Sequence, residues 1–361
     1  MFKLISLNTR MATPEDENLH PYDHTKLSSI NSCPTYGIIR YSHHKRMPGS
    51  RRSMPLEAGS AAHESFAAVR LFWFGKGSSS TILHEQYLHH GSRLFGPDRF
   101  NQMLGVLNVN STDRTNCINF AIEALETSGF YDDIGDSKRT ISNISEGLIA
   151  YVDAYDPDRY DVWVRDVNDP KSDIGIEIAF DIVVNIVYNN GGLPTNKNLE
   201  CRFTGKLDGL YTDPKRKDAL FIVDDKTSGK LDDNWLAQWV LSHQFTGYCI
   251  ASSTFTGLPC HKAQAWGMRI PIGKIAAEGI RREQVNRHQE LYNKWAGWFV
   301  EYVNMENRFR DYPLQAPMHT TNCNSYNSTC SFLPLCAADS MEEKELIFSE
   351  MEIDEWSPLH D

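Results

Sequence analysis

The chain has 361 residues, eight cysteines, a formal net charge of −11, and hydrophobic and charged fractions of 41% and 23%, which suit one large soluble domain with insertions or two modest ones. No apolar run approaches the ~20 residues that span a bilayer, and the opening Met1-Phe2-Lys3-Leu4-Ile5-Ser6 lacks the apolar stretch of a secretory signal, so no membrane association and a reducing, cytoplasmic setting are expected, where cysteines are buried or hold a metal rather than pair. The acidic balance argues against a general nucleic-acid coat protein, but not against an enzyme whose groove alone is basic.

In chain order, residues 1–24 read as loosely ordered. Leu27 to Pro34 reads as a short helix that presents Cys33 at a turn. His43-His44-Lys45-Arg46 and Arg51-Arg52 are the most basic local cluster. Lys45, Arg46, Arg51 and Arg52 are candidate DNA contacts, and a solvated loop is the plain alternative. Gly59-Ser60-Ala61-Ala62-His63-Glu64 opens a helix that continues through Phe66, Val69, Leu71 and Phe72. Its small residues would let it pack closely on a sheet; taken alone, His63 reads as a core histidine more readily than as a ligand. Residues 77–113 read as polar loop with short helices. Cys117 to Leu125 and Ile144 to Tyr155 read as helices, and residues 1 to about 155 as a helical region that wraps a sheet.

From Tyr160 the pattern changes. Asp161 to Val167 is a candidate short strand, Ile174 to Val187 a long one beginning near Glu177, Cys201 to Tyr211 the next, and Leu220 to Lys226 the next again. A helix from Trp235 to Ser253 and a strand from Ala263 to Ile270 follow. That order predicts an α/β protein with a mixed central sheet flanked by helices, the helix serving as a crossover. Gly279 to Phe309 reads as one long amphipathic helix with Val285, His288, Tyr292, Trp295, Phe299 and Tyr302 along its core face. Pro313 and Pro317 end it, Cys323-x6-Cys330-x5-Cys336 follows, and residues 337–361 form an acidic tail that reads as a solvated helix face.

The chemistry concentrates where Leu220-Phe221-Ile222-Val223 ends in Asp224-Asp225-Lys226-Thr227. Strand alternation puts Asp224 and Lys226 on one face and Asp225 on the other. A carboxylate and an amine at the end of a buried strand are expensive unless paired or used, and a structural Asp–Lys ion pair is the bland reading. Gly205 to Leu210 brings Asp208 to the end of a neighbouring strand, and Gln244 and Tyr248 sit one turn apart on the following helix. Phosphodiester hydrolysis needs charge stabilisation and an activated water, and hard divalent cations on oxygen ligands supply both. Asp208, Asp224 and the backbone carbonyl of Asp225 suit Mg²⁺ or Mn²⁺, with Lys226 to orient water or meet phosphate as a point charge.

Taken in order, Gly205-x-x-Asp208, Asp224-x-Lys226 and Gln244-x-x-x-Tyr248 resemble the successive motifs of the PD-(D/E)XK nucleases of the RecB type. Gly59-x-x-x-His63 resembles their upstream motif, and Glu177 is similar to a glutamate these domains often carry on the preceding strand. The resemblance implies a restriction-endonuclease-like fold: one nuclease domain over about 25–336 with a catalytic core at about 174–271. Residues about 75–158 are longer than a minimal member of that family needs and count as a helical insertion. It implies metal ligation by His63, Asp208, Asp224 and the Asp225 carbonyl, support from Glu177, and substrate positioning by Gln244 and Tyr248. Cys33 with Cys323, Cys330 and Cys336 resembles the iron–sulfur staple of the branch that includes CRISPR-adaptation exonucleases, AddB-type nuclease domains and phage-encoded relatives. Four thiolates suit a [4Fe–4S] cluster, with Zn²⁺ as the alternative. The implied activity is a single-strand-preferring DNA exonuclease of replication, recombination or repair, with 5′ to 3′ polarity, acting in the host cytoplasm if phage-encoded. The rival is a non-cutting DNA-binding or assembly subunit. With no G-x-x-x-x-G-K-S/T loop in the sequence, unwinding would fall to a helicase or another recombination or replication partner.

Overall fold

The computed structural model describes residues 2–49, 53–77, 80–154, 160–190, 196–271, 276–324 and 329–355. In chain order the elements are β1 (Phe2–Met11), β2 (Pro21–Tyr22), α1 (His24–Ser32), α2 (Pro34–Tyr41), β3 (Lys45–Arg46), α3 (Met54–Gly77), α4 (Thr81–Phe95), α5 (Pro97–Gly105), α6 (Asp113–Glu126) and α7 (Ile141–Ala154). Then come β4 (Ile176–Asn190), β5 (Lys197–Asp213), β6 (Arg216–Ser228), α8 (Asp233–Ala237), α9 (His243–Thr256), β7 (Cys260–Arg269), β8 (Ile280–Asn286), α10 (Gln289–Phe309), α11 (Leu333–Ala337), α12 (Met341–Glu350) and β9 (Glu352–Ile353). The protein is α/β. Its mixed seven-stranded sheet runs β1-β4-β5-β6-β7-β8, with β2 also paired to β5, and helices flank it. Among the described residues no helix is long and apolar enough to cross a membrane.

Contacts divide the chain into two units, residues 52–179 with 206–288, and residues 1–51 with 180–205 and 289–361. In the first, β6 and β7 run parallel, with Asp224 opposite Ala265 and Lys226 opposite Gly267. The antiparallel partner of β7 is β8. The crossover from β6 to β7 is the predicted one, but Trp235 to Ser253 is two helices. Asp232 caps α8 by accepting from the Trp235 N–H at 3.0 Å, and Ser242 caps α9 by accepting from the Phe245 N–H at 3.3 Å. Each cap satisfies donors that one continuous helix would not leave open. Gly267 admits the incoming loop: a Cβ there would stand 2.6 Å from the Trp235 ring. The core joins Phe66, Val69 and Phe72 of α3, Phe120 of α6 and Leu148 of α7 to Phe221, Val223 and Trp266 of the sheet. Residues 77–113 are more helical than expected, through α4 and α5. Residues 161–167 make only isolated bridges, Val162 to Tyr211 and Val164 to Ile174.

Residues 280–286, expected in the long helix, form β8 instead, paired from Met268–Ile280 to Lys262–Asn286. Sheet pairing here overrides the helical preference of Arg281, Arg282, Glu283 and Gln284. The helix proper, α10, starts at Gln289 and buries Leu291, Trp295, Phe299 and Val303.

In the second unit, Phe2–Met11 is a strand rather than loose chain. The alternation of Phe2, Leu4 and Leu7 is broken by a register shift between Leu4 and Ser6, and β1 lies antiparallel on β4. The fully buried Glu306 of α10 ties the N-terminal elements down. It accepts from Tyr22 Oη at 2.9 Å and Ser42 Oγ at 2.8 Å, lies 3.3 Å from Lys26 Nζ and pairs with Arg310. The acidic tail is not free: β9 pairs with β3, and Met351 packs with Ile39, Phe332 and Leu335. Replacing Glu306 with Leu leaves Lys26, only 4% exposed, without its counter-charge. The expected loss is about 3–5 kcal/mol, read as a lower midpoint in urea unfolding.

Candidate metal centre

Strand periodicity delivers the candidate ligands of the first unit. His63 lies nine residues, about two and a half turns, into α3, and its Nδ1 is 3.4 Å from Asp208 Oδ2 on β5. Glu177, at the start of β4, completes a trio: one ligand atom from each of His63, Glu177 and Asp208 lies within 4.8 Å of the others. Among the described residues this is the one group of three or more His, Cys, Asp or Glu that meets that spacing. Its donors are one imidazole and two carboxylates, a set that suits Mn²⁺ or Mg²⁺. Glu177 Oε1 is buried with no hydrogen-bond partner among the described residues, an acceptor of the kind a cation satisfies. The other oxygen, Oε2, lies 3.2 Å from Lys206 Nζ.

Glu177 reaches this place through an unfavourable backbone. Its φ of 47° is left-handed, which costs on the order of 1–2 kcal/mol for a residue with a side chain. Neighbouring bonds hold the turn. Gly175 donates to the Trp163 carbonyl at 2.7 Å, and its own carbonyl accepts from the Leu210 N–H at 2.7 Å. A Cβ on Gly175 would sit 2.3 Å from the Leu210 carbonyl oxygen, so glycine is required there.

Beside the trio, Asp224 pairs with Lys226 as alternation predicts. Gln244 Nε2 donates to Asp224 Oδ1 and to Tyr248 Oη, both at 3.2 Å. Asp225 turns the other way, to Arg70 and Tyr151, while its backbone N–H donates to Asp208 Oδ2 at 2.7 Å. The Trp239 ring centroid stands 5.9 Å from Lys226 Nζ. The structure thus brings His63 to Asp208 and Gln244 and Lys226 to Asp224, with Tyr248 on Gln244. Glu177, expected only as support, stands inside the trio, and Asp224, expected as a ligand, stands outside it.

Electrostatics sorts these groups. Burial works to raise Asp208, but His63 and Lys226 hold it well below the usual carboxylate range. Burial pushes Asp224 up to about 6 against the pull of Lys226, with Asp208 adding to the rise. Glu177 goes to about 7 through burial and the Asp208 charge, opposed by Lys206. His63 rises to about 9, since Asp208 outweighs desolvation. Lys226 is also raised: desolvation is outweighed by Asp224 and Asp208.

Three supporting residues escaped the sequence reading. Lys206 is two residues before Asp208, so the same alternation signals it. Arg70 lies seven residues after His63, two helical turns along α3, inside the apolar run Phe66 to Phe72. Its signal was a charge on a buried face. Tyr151 had no signal of its own.

In the second unit, Cys33 closes α1 and caps α2. Thr35 fixes the turn by donating from Oγ1 to the Ala316 carbonyl at 2.8 Å, and Asn322 and His319 reach the Ser32 carbonyl. The Cys330 N–H donates to the Cys323 carbonyl at 2.8 Å. Burial raises the Cys330 thiol, and Cys323 and Cys33 raise it further. Burial and then Cys33, Cys330 and Cys323 push Cys336 to about 11. Among the described residues no three of these thiols gather at the spacing of the trio. Cys117, Cys201, Cys249 and Cys260 are buried separately.

The basic cluster is not an open surface. Lys45 Nζ donates to the Phe348 carbonyl at 2.8 Å, Arg46 pairs with Glu352 at 2.9 Å, and Arg40 pairs with Asp354 at 2.7 Å. The acidic tail engages the residues expected to contact DNA; Arg51 and Arg52 lie outside the described residues.

No family model matches the chain, and no curated protein matches it.

Protons must leave Glu177 and His63 for a cation to bind. Mn²⁺ affinity is therefore expected to climb as pH rises from about 6 to about 9, through the Glu177 and His63 values near 7 and 9, as measured by titration of free Mn²⁺. At a hundredfold excess over its Kd the ion should stabilise the wild type by about 2.7 kcal/mol, and Asp208→Asn should lose that shift in a thermal melt.

Proposed function

We propose that this protein is a metal-dependent DNA nuclease of the PD-(D/E)XK, RecB-like kind, with a restriction-endonuclease-like sheet. The observation that carries the reading is the convergence of His63, Glu177 and Asp208 on one point, beside the Asp224–Lys226 pair and Gln244. The non-cutting alternative would be favoured by an Asp208 or Asp224 remote from His63; Asp208 approaches His63 at 3.4 Å, which supports cutting, while Asp224 lies outside the trio.

His63, Glu177 and Asp208 would hold Mg²⁺ or Mn²⁺, with Asp224 and the Asp225 carbonyl as the further candidate ligands. The cation, when bound, supplies charge neutralisation at the phosphoryl oxygens. Lys226, kept protonated by Asp224, places a positive charge where the attacking water and the scissile phosphate meet. Asp224, titrating near 6, takes the proton of that water above this pH. Gln244 fixes the Asp224 carboxylate through Oδ1, and Tyr248 in turn orients the Gln244 amide. The substrate is DNA, single-stranded or with free ends, with strand separation left to a partner.

Cys33, Cys323, Cys330 and Cys336 hold a [4Fe–4S] cluster in this reading. Zn²⁺ on the same four thiolates is the alternative.

The test is anaerobic digestion of end-labelled single-stranded DNA with Mn²⁺. Wild type is expected to cut and Lys226→Ala to lose at least about 10²-fold in rate, the range of a positioned proton-transfer or charge partner. An intact, metal-loaded wild type that leaves every DNA uncut sinks the nuclease reading. Visible absorbance that vanishes in Cys330→Ser would separate the cluster from zinc.

A further inference from the structure

Behind the metal centre, on the core side of β6, the Asp225 carboxylate closes a triangle with two helix residues. Asp225 and Arg70 are both fully buried. Arg70 Nη2 pairs with Asp225 Oδ2 and donates to Tyr151 Oη at 3.2 Å, and Tyr151 Oη donates to Asp225 Oδ1 at 2.9 Å. Gly209, next to Asp208, makes room: a Cβ there would lie 3.2 Å from Arg70 Nε and 2.7 Å from the Tyr211 ring. Arg70 Nε and Nη1 are buried without hydrogen-bond partners among the described residues. A buried ion pair so incompletely satisfied is poor value as a stabiliser. It does fix Asp225 from one side, while the Asp225 N–H grips Asp208 from the other.

A second grip lies under Glu177. His90 of α4 is buried, with Nε2 at 2.9 Å from the Ile176 carbonyl and Nδ1 at 3.0 Å from Arg93 Nη2. Arginine only donates, so Nδ1 accepts and the proton sits on Nε2, which donates to Ile176. Arg93 is itself pinned by Asp173 at 2.8 Å. The peptide His90 holds is the one that leads into the left-handed Glu177.

We infer that Arg70, Tyr151 and His90 are positioning residues that set the affinity of the metal centre without touching the metal. Tyr151 and His90 stand on α7 and α4, so the helical layer is the outer shell of the site. The inference rests on the metal-centre reading above. Residues that orient ligands in this way typically change metal affinity by about 10–100-fold when removed.

The experiment is Mn²⁺ titration of the full-length protein near neutral pH, followed by the electron paramagnetic resonance of the free ion. Tyr151→Phe keeps the ring stacked on Phe66, at a centroid distance of 4.4 Å, and removes only the hydroxyl. His90→Leu removes the donor to Ile176, and His90→Gln restores an amide donor. Phe120→Leu, in the same core cluster and among neither set of bonds, is the control for lost stability alone. Tyr151→Phe and His90→Leu are expected to weaken Mn²⁺ binding by about 10–100-fold, with His90→Gln recovering most of it and Phe120→Leu within about twofold of wild type. Wild-type affinity in Tyr151→Phe and His90→Leu, with lowered melting temperatures only, overturns the inference and leaves the metal centre standing. A wild type that takes up no Mn²⁺ overturns the metal centre and the inference together. A wild type that binds Mn²⁺ yet cuts no DNA fails as a nuclease while the affinity comparison still decides the inference.

Discussion

Four carboxylates crowd one buried corner of the sheet, and their mutual repulsion is the constraint around which the rest of this unit is arranged. Glu177, Asp208, Asp224 and Asp225 each carry a dedicated cation: Lys206, His63, Lys226 and Arg70 respectively. Burying like charges together is tolerated only with such pairing. The assignments are one to one because strand alternation separates Asp224 from Asp225 and two turns along α3 separate His63 from Arg70. Acid and base character then follow from how complete each pairing is. Asp208, held down by His63 and by Lys226, stays ionised, while Glu177 and Asp224 are lifted into the range where a proton is exchanged near neutrality.

Helix α3 is what makes this arrangement possible. One helix supplies both His63 and Arg70, two turns apart, and so reaches the metal side and the core side of the same strands. Its alanine-rich start, Ala58, Ala61 and Ala62, is buried without bulk, which lets the helix lie close to β6. The fold therefore needs small residues before His63 and a glycine after Asp208 for the same reason: two charged side chains must pass through close-packed core.

The active corner was largely legible in the sequence because its signals are periodic. Period two in Asp224, Asp225 and Lys226 gave their facing, and the one-turn spacing of Gln244 and Tyr248 gave their contact. What escaped lacked a local signal. His63 did not escape: taken alone it reads as a core histidine, but the Gly59-x-x-x-His63 resemblance named it a candidate ligand, and the structure sets it 3.4 Å from Asp208. Tyr151 is one aromatic among many core aromatics. The β8 strand was hidden because Arg281 to Gln284 carry helix-favouring residues, and pairing with β7 decides their state. The strand β1 was hidden by a register shift in the middle of its alternation. The fate of the acidic tail was hidden for a different reason: charge composition describes a solvated face equally well whether or not Lys45 and Arg46 are waiting for it.

The strain at Glu177 bears on whether the trio is merely tolerated or is selected. A left-handed glutamate, a carboxylate raised by its neighbours and a buried oxygen without a partner all coincide at one residue. Folding alone gains nothing from any of the three, and an alanine or a serine with ordinary backbone would relieve them all. The surroundings instead stabilise the strained form through Gly175, the Ile176 carbonyl and Lys206, each with a specific bond. Strain that several independent contacts hold in place coincides here with the point where three candidate ligand atoms converge. The oxygen left unsatisfied after all those contacts is Oε1, the one a cation would complete.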